Sequence, residues 1–186
     1  MTLTELLEAI RDYYLTRFKD EIDEQIANGF KVIIEPELLD RLGQQVTEGF
    51  FDTPYRNDLI LLKDDEPIQS VMVDTESKLS FDPITLEWSD TLTVTIEPFQ
   101  WNALTIEFDN NHQNLNWTPI KNWFMNSFEE KTIEEDFNLV VHYISDPYQL
   151  NGLQLVDIDL GSGTIEDFET LLDSLDSMNL TNVTLK

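Results

Sequence analysis

Cysteine is absent from this chain, histidine occurs twice, and Lys and Arg together number 11 against 37 Asp and Glu. Each shortage removes a class of chemistry. Without thiols there is no disulfide framework and no thiolate metal site, which is compatible with a reducing compartment. His112 and His142 fall in different expected elements, so a zinc site lacks its usual nitrogen and sulfur donors. A formal net charge of -26 repels phosphate over most of the surface and argues against nucleic acid as a direct ligand. No apolar run approaches a membrane span, and no basic region followed by an apolar core opens the chain, so the expectation is a cytoplasmic, non-membrane protein.

Apolar and aromatic residues, by contrast, are plentiful. Hydrophobic residues make up 41% and aromatics 11%, too much for an acidic disordered chain, and 186 residues suffice to bury a substantial core. The expected fold class is α+β in one domain, 1–186: a helical part over 1–50, an antiparallel β-meander over 58–109 and a helix plus β-α-β part over 117–186. No internal repeat or linker divides it.

The meaning of the tail is the clearest. Leu153–Leu160 is a short apolar run, Gly161-Ser-Gly163 is a turn, and Thr164 with Asp167 three positions on forms a capping pair. Ile165, Phe168, Leu171, Leu172 and Leu175 then recur at helical spacing, and Leu180–Leu185 alternates like a strand. If both strands share a sheet, the helix is a crossover between parallel neighbours.

Upstream, Thr2 and Glu5 resemble a capping box, and Leu3, Leu6, Leu7, Ile10, Tyr14, Phe18 and Ile22 trace a helical stripe ending near Ala27. A short strand, Phe30–Ile34, precedes a second helix from Pro36 to about Glu48. From Asp58 to Asp109 the period becomes 2, with strands expected over Leu59–Leu62, Ile68–Val73, Leu79–Trp88, Thr91–Glu97 and Ala103–Phe108. Thr118 at a cap and Pro119 at the first helical position start another helix, with Ile120, Trp123, Phe124 and Phe128 inward; Asp136–Ile144 reads as a further strand.

The outer face of the tail helix carries the chemical signal. Glu166, Asp167, Glu169, Asp173 and Asp176 include no cation, and neighbours three or four apart repel by roughly 0.2–0.5 kcal/mol each. Asp173 and Asp176 also face the unfavourable end of the helix dipole. No Lys or Arg occurs between Thr132 and Leu185. Solubility alone asks for a net charge of only about 2–8 in magnitude, so a cationic protein partner is the natural complement.

Other candidates are thinner. Asp157 and Asp159 point to one face of a strand and make an acid pair or a magnesium site conceivable, although two solvated residues at a strand end beside an acidic helix are the ordinary reading, since no Lys, Arg or further motif converges in sequence to position a substrate. His142 lies in an apolar strand, where a hydrogen-bonded structural role is the ordinary one. Gly161–Thr164 lacks the glycine spacing and lysine of a phosphate loop, and Ser162 lacks the flanks of a nucleophile turn, so neither a cofactor nor a catalytic residue is assigned. Trp123 belongs to the core, while Trp101 in a turn is a candidate apolar anchor.

The run Trp117-Thr-Pro-Ile-Lys-Asn-Trp-Phe124, the strand ending Val-Val-His142-Tyr, and Val156–Asp173 together resemble small acidic immunity proteins of bacterial polymorphic toxin systems, mainly over Trp117–Lys186. That resemblance implies a cytoplasmic, non-enzymatic inhibitor of a cognate toxin domain, often a nuclease. The expected binding residues are Glu166, Glu169, Asp173, Asp176, Asp157, Asp159 and Trp101. Two alternatives stand beside it: a DNA mimic or accessory binding protein of phage or mobile-element origin, and a metal-dependent hydrolase using Asp157 and Asp159.

Overall fold

A computed structural model describes residues 2–73, 78–109, 115–131 and 136–186. The expected turn 74–77, the loop 110–114 with His112, and Glu134 and Glu135 lie outside the described residues. The first helix, α1 (Leu3–Ala27), forms as its capping signal predicts: Thr2 Oγ1 accepts the Glu5 N–H at 3.2 Å while the Glu5 carboxylate accepts the Thr2 N–H at 2.7 Å. Its buried stripe is Leu6, Leu7, Ile10, Tyr14, Phe18 and Ile22. No helix among the described residues is long and apolar enough to cross a membrane.

The strands that follow are β1 (Lys31–Ile34), β2 (Thr47–Glu48), β3 (Thr53–Pro54), β4 (Leu59–Leu62), β5 (Gln69–Val71), β6 (Ile84–Glu87), β7 (Thr93–Ile96) and β8 (Leu104–Asp109). After α2 (Thr118–Phe128) come β9 (Tyr143–Ile144), β10 (Tyr148–Leu150), β11 (Leu153–Asp159), α3 (Ile165–Ser177) and β12 (Asn182–Leu185). The architecture is α+β around a mixed seven-stranded sheet, ordered β10-β11-β8-β12-β7-β6 with β9 against β11.

The expected meander divides. β4 pairs with β1 and β5 in a separate three-stranded sheet, whereas β6 and β7 form an antiparallel pair in the large one. The β11-α3-β12 unit is present, but its strands are not neighbours. β8, with Leu104, Ile106 and Phe108 turned into the core, lies between them and runs antiparallel to both, while β12 pairs parallel to β7. Inserting β8 lets the apolar faces of three sequence-distant strands share one layer.

Two expected elements do not form. Pro36–Glu48 is not helical but irregular up to β2: the Asp40 carboxylate takes the Leu42 and Gln44 N–H groups at 2.7 and 2.9 Å, and Gly43 has a φ of 76° that a helix excludes. Asp136–Ile144 is strand only at Tyr143–Ile144, because its amides go to scattered partners: the Asn138 and Val140 N–H groups to the Glu35 and Ser162 side chains, the Val141 N–H to Ser127 O and the His142 N–H to Asp159 O. The cap of α2 falls one residue earlier than expected, at Trp117, with Pro119 in its first turn.

Candidate functional site

On α3, Thr164 Oγ1 accepts the Asp167 N–H at 3.2 Å and Asp167 returns the bond to the Thr164 N–H at 2.6 Å. Asp167 is buried and ion-paired with Lys131, whose Nζ lies 2.6 Å from Oδ1. It therefore serves the fold. The other four acids differ. Glu166 is exposed and Glu169 half-buried; Asp173 accepts the Trp88 indole N–H at 3.0 Å, and Asp176 accepts the Ser89 and Thr91 hydroxyls at 2.8 and 2.9 Å. Those donors are neutral. They hold the two late carboxylates in place, offsetting the adverse dipole, without cancelling their charge. Among the described residues no Lys or Arg ion-pairs with Glu166, Glu169, Asp173 or Asp176. A groove of about 400 Å3 between α2 and α3 is bordered by Glu166, Thr170, Asn122 and Lys131.

Trp101 corrects an expectation. It is 1% exposed, and its ring packs against Phe99 and Phe168, centroids 6.5 and 5.9 Å away, in a cluster of three near-parallel rings, so it presents no surface to a partner. A turn position hid this because Trp101 O also accepts the Leu160 N–H, drawing the turn under the tail. Trp123 sits in the core as expected and donates its indole N–H to Asp167 O at 2.8 Å.

Asp157 and Asp159 do face one cleft, of about 350 Å3, lined also by Asp58, Asn102 and Tyr143. Their roles separate there. Asp157 stands opposite Thr105 across the β8–β11 ladder and accepts its hydroxyl at 2.7 Å. Asp159 instead joins a cluster that sequence reasoning missed. The His142 imidazole is fully buried, with Nε2 2.8 Å from Glu35 Oε1 and Nδ1 2.9 Å from Asp58 Oδ1 and 3.6 Å from Asp159 Oδ2. Its hydrogen bonds match the ordinary role read for it; the number of carboxylates does not.

The fold positions every member through backbone contacts. Glu35 has a left-handed φ of 49°, a conformation costing about 1–2 kcal/mol, and is fixed by its N–H to Asp58 O at 2.8 Å and by Arg56 Nη1 donating to its carbonyl at 2.8 Å. Its carboxylate takes the Asn138 and Ser162 N–H groups at 2.7 and 3.1 Å. Gly161 passes against the ring with a φ of 52°, where a Cβ would stand 2.5 Å from Nε2. Burial pushes His142 down, but Asp159, Asp58 and Glu35 outweigh it and raise its pKa well above the usual value. Burial raises Asp159, opposed by the His142 imidazolium. Tyr14 is raised well above its usual value by burial and then by Asp159, Asp58 and Glu35. The local signal for this centre was slight: a histidine in an apolar run and an Asp-Leu-Gly turn, with Glu35 and Asp58 far away in sequence.

No protein-family model, no curated protein and no solved structure matches the chain, so its sites are read from their own geometry.

Proposed function

We propose that the protein is an acidic inhibitor that captures a cationic protein, acting in the cytoplasm as an immunity protein toward a cognate toxin domain. One observation carries this reading: Glu166, Glu169, Asp173 and Asp176 keep their charge while Trp88, Ser89 and Thr91 hold two of them in fixed positions. Carboxylates ordered before binding lose little freedom on meeting Lys or Arg, and their shared field steers the encounter. Exposed Glu8, Asp12, Asp20, Asp23 and Glu24 on α1 extend the negative field. A nuclease domain, basic around its cleft, fits that description. Trp101 has no part in the contact.

The test is capture at low salt from the cell that makes the protein, followed by elution in rising salt. One cationic protein released by salt, and lost when Glu166→Gln, Glu169→Gln and Asp173→Asn are combined, is the expected result. Retention of that protein by the triple variant would overturn the assignment of the surface. Binding instead to many unrelated DNA-binding proteins, in competition with duplex DNA, would replace the inhibitor with a DNA mimic.

A further inference from the structure

We propose that Asp58, His142 and Asp159 form a binding site for one divalent first-row transition cation, such as Mn2+ or Zn2+, opening onto the cleft lined by Asp157 and Tyr143. The site is separate from the acidic face of α3 and stands or falls independently of it.

The donors are arranged as such an ion requires. One nitrogen and two carboxylate oxygens lie within 4.8 Å of one another. With metal–donor distances of about 2.1 Å, donors are about 3.0 Å apart at right angles and about 3.4 Å apart in a tetrahedron. The Nδ1 separations of 2.9 Å to Asp58 and 3.6 Å to Asp159 bracket that range. Each carboxylate is also held so that only one oxygen turns inward. Asp58 Oδ2 accepts the Val73 N–H at 2.6 Å, so Oδ1 is the oxygen toward the ring, with the Tyr14 hydroxyl also donating to it at 3.5 Å; Asp159 Oδ1 accepts the Gly161 N–H at 2.8 Å, so Oδ2 is the one turned inward.

Behind the ring stands the support that metal-bound imidazoles generally have. With an ion at Nδ1, Nε2–H donates to Glu35, itself anchored by two backbone amides, which keeps Nδ1 turned toward Asp58 and Asp159. Arg56 does not occupy the centre: its Nη1 bonds the Glu35 carbonyl rather than a carboxylate of the cluster. Mixed imidazole and carboxylate donors favour a transition ion over Mg2+ or Ca2+. The cleft supplies a route in and room for water ligands, and Asp157 across it can hydrogen-bond one of them.

Because the surface is rich in carboxylates, the decisive readout is nitrogen. Chelator-treated full-length protein is titrated with Mn2+ and studied by pulsed electron paramagnetic resonance. The expected result is one Mn2+ per chain, bound more tightly than any other and coupled to a single imidazole nitrogen. The coupling should persist in His112→Gln and in the triple α3 variant. Asp159→Asn, confirmed folded by circular dichroism, should weaken that binding at least about tenfold, and Glu35→Gln by about 10–100-fold. Mn2+ bound without nitrogen coupling in the unaltered protein overturns the proposal, as does nitrogen-coupled Mn2+ bound with unchanged affinity in Asp159→Asn or coupling that disappears with His112→Gln.

Discussion

Replacing Gly161 with alanine tests whether the His142 ring is as immobile as its bonds imply. Gly161 sits at φ 52°, and an added Cβ would lie 2.5 Å from Nε2 and 2.6 Å from Cγ of the imidazole. The ring has no retreat: Glu35 holds Nε2, Asp58 holds Nδ1, and the Phe18 ring meets it edge-on at 6.4 Å. Left-handed backbone costs an alanine about 1–2 kcal/mol, and forced overpacking of a rigid core adds about 1–3 kcal/mol. The expected loss is thus about 2–5 kcal/mol, a large share of the ~5–15 kcal/mol that usually holds a domain folded. Gly152→Ala is the control, since its φ is 83° but nothing lies within 4 Å of the added Cβ, so only the backbone part applies. Urea unfolding of both variants separates the two contributions. If Gly161→Ala costs no more than Gly152→Ala, the ring moves freely and the description of a rigid cluster is wrong.

Three further outcomes follow from the same contacts. Trp101→Ala should cost about 3–5 kcal/mol in urea unfolding, because it leaves a cavity beside the Phe99 and Phe168 rings, yet the folded fraction should associate with a partner at an unchanged rate. Thr164→Ala should lose about 1 kcal/mol through the α3 cap, seen as a lower unfolding midpoint with an unaltered slope. Lys131→Met removes the cation paired with buried Asp167 and should cost about 1–3 kcal/mol, more than the cap, since the Asp167 side chain loses its charge-assisted partner in the interior; equal losses for the two would contradict the inward role of Asp167.

Elements whose determinants are local were legible in the sequence. Thr2 with Glu5, and Thr164 with Asp167, announce α1 and α3 because a capping pair satisfies its own helix end. The alternation of Leu104, Ile106 and Phe108 likewise announces β8. What stayed hidden depends on distant partners. Pro36 suggests a helix start, but Asp40 turns the chain back with its own side chain, and Glu37 is drawn to Arg56 at 3.0 Å. Residues 136–142 look like a strand, yet the Asn138, Val140 and Val141 N–H groups find Glu35, Ser162 and Ser127 O, and the chain reaches β11 at the His142 N–H, which bonds Asp159 O. The α3 acids are visible as a charged face, though not the Trp88 and Ser89 donors that order them. The buried cluster draws Glu35, Asp58, His142 and Asp159 from four separated segments, so no spacing rule brings them together.

The central claim is that ordered, unneutralised carboxylates on α3 drive capture of a cationic partner. Its most direct test is the association rate with the protein encoded beside this one, measured for the unaltered chain and for the combined Glu166→Gln, Glu169→Gln, Asp173→Asn variant at low and high ionic strength. Electrostatic steering raises association rates by about 10–1000-fold and is screened by salt. The account predicts a steep fall with salt for the unaltered protein, and a slower rate with a shallower salt dependence for the variant. Equal rates for the two proteins at low salt would contradict it.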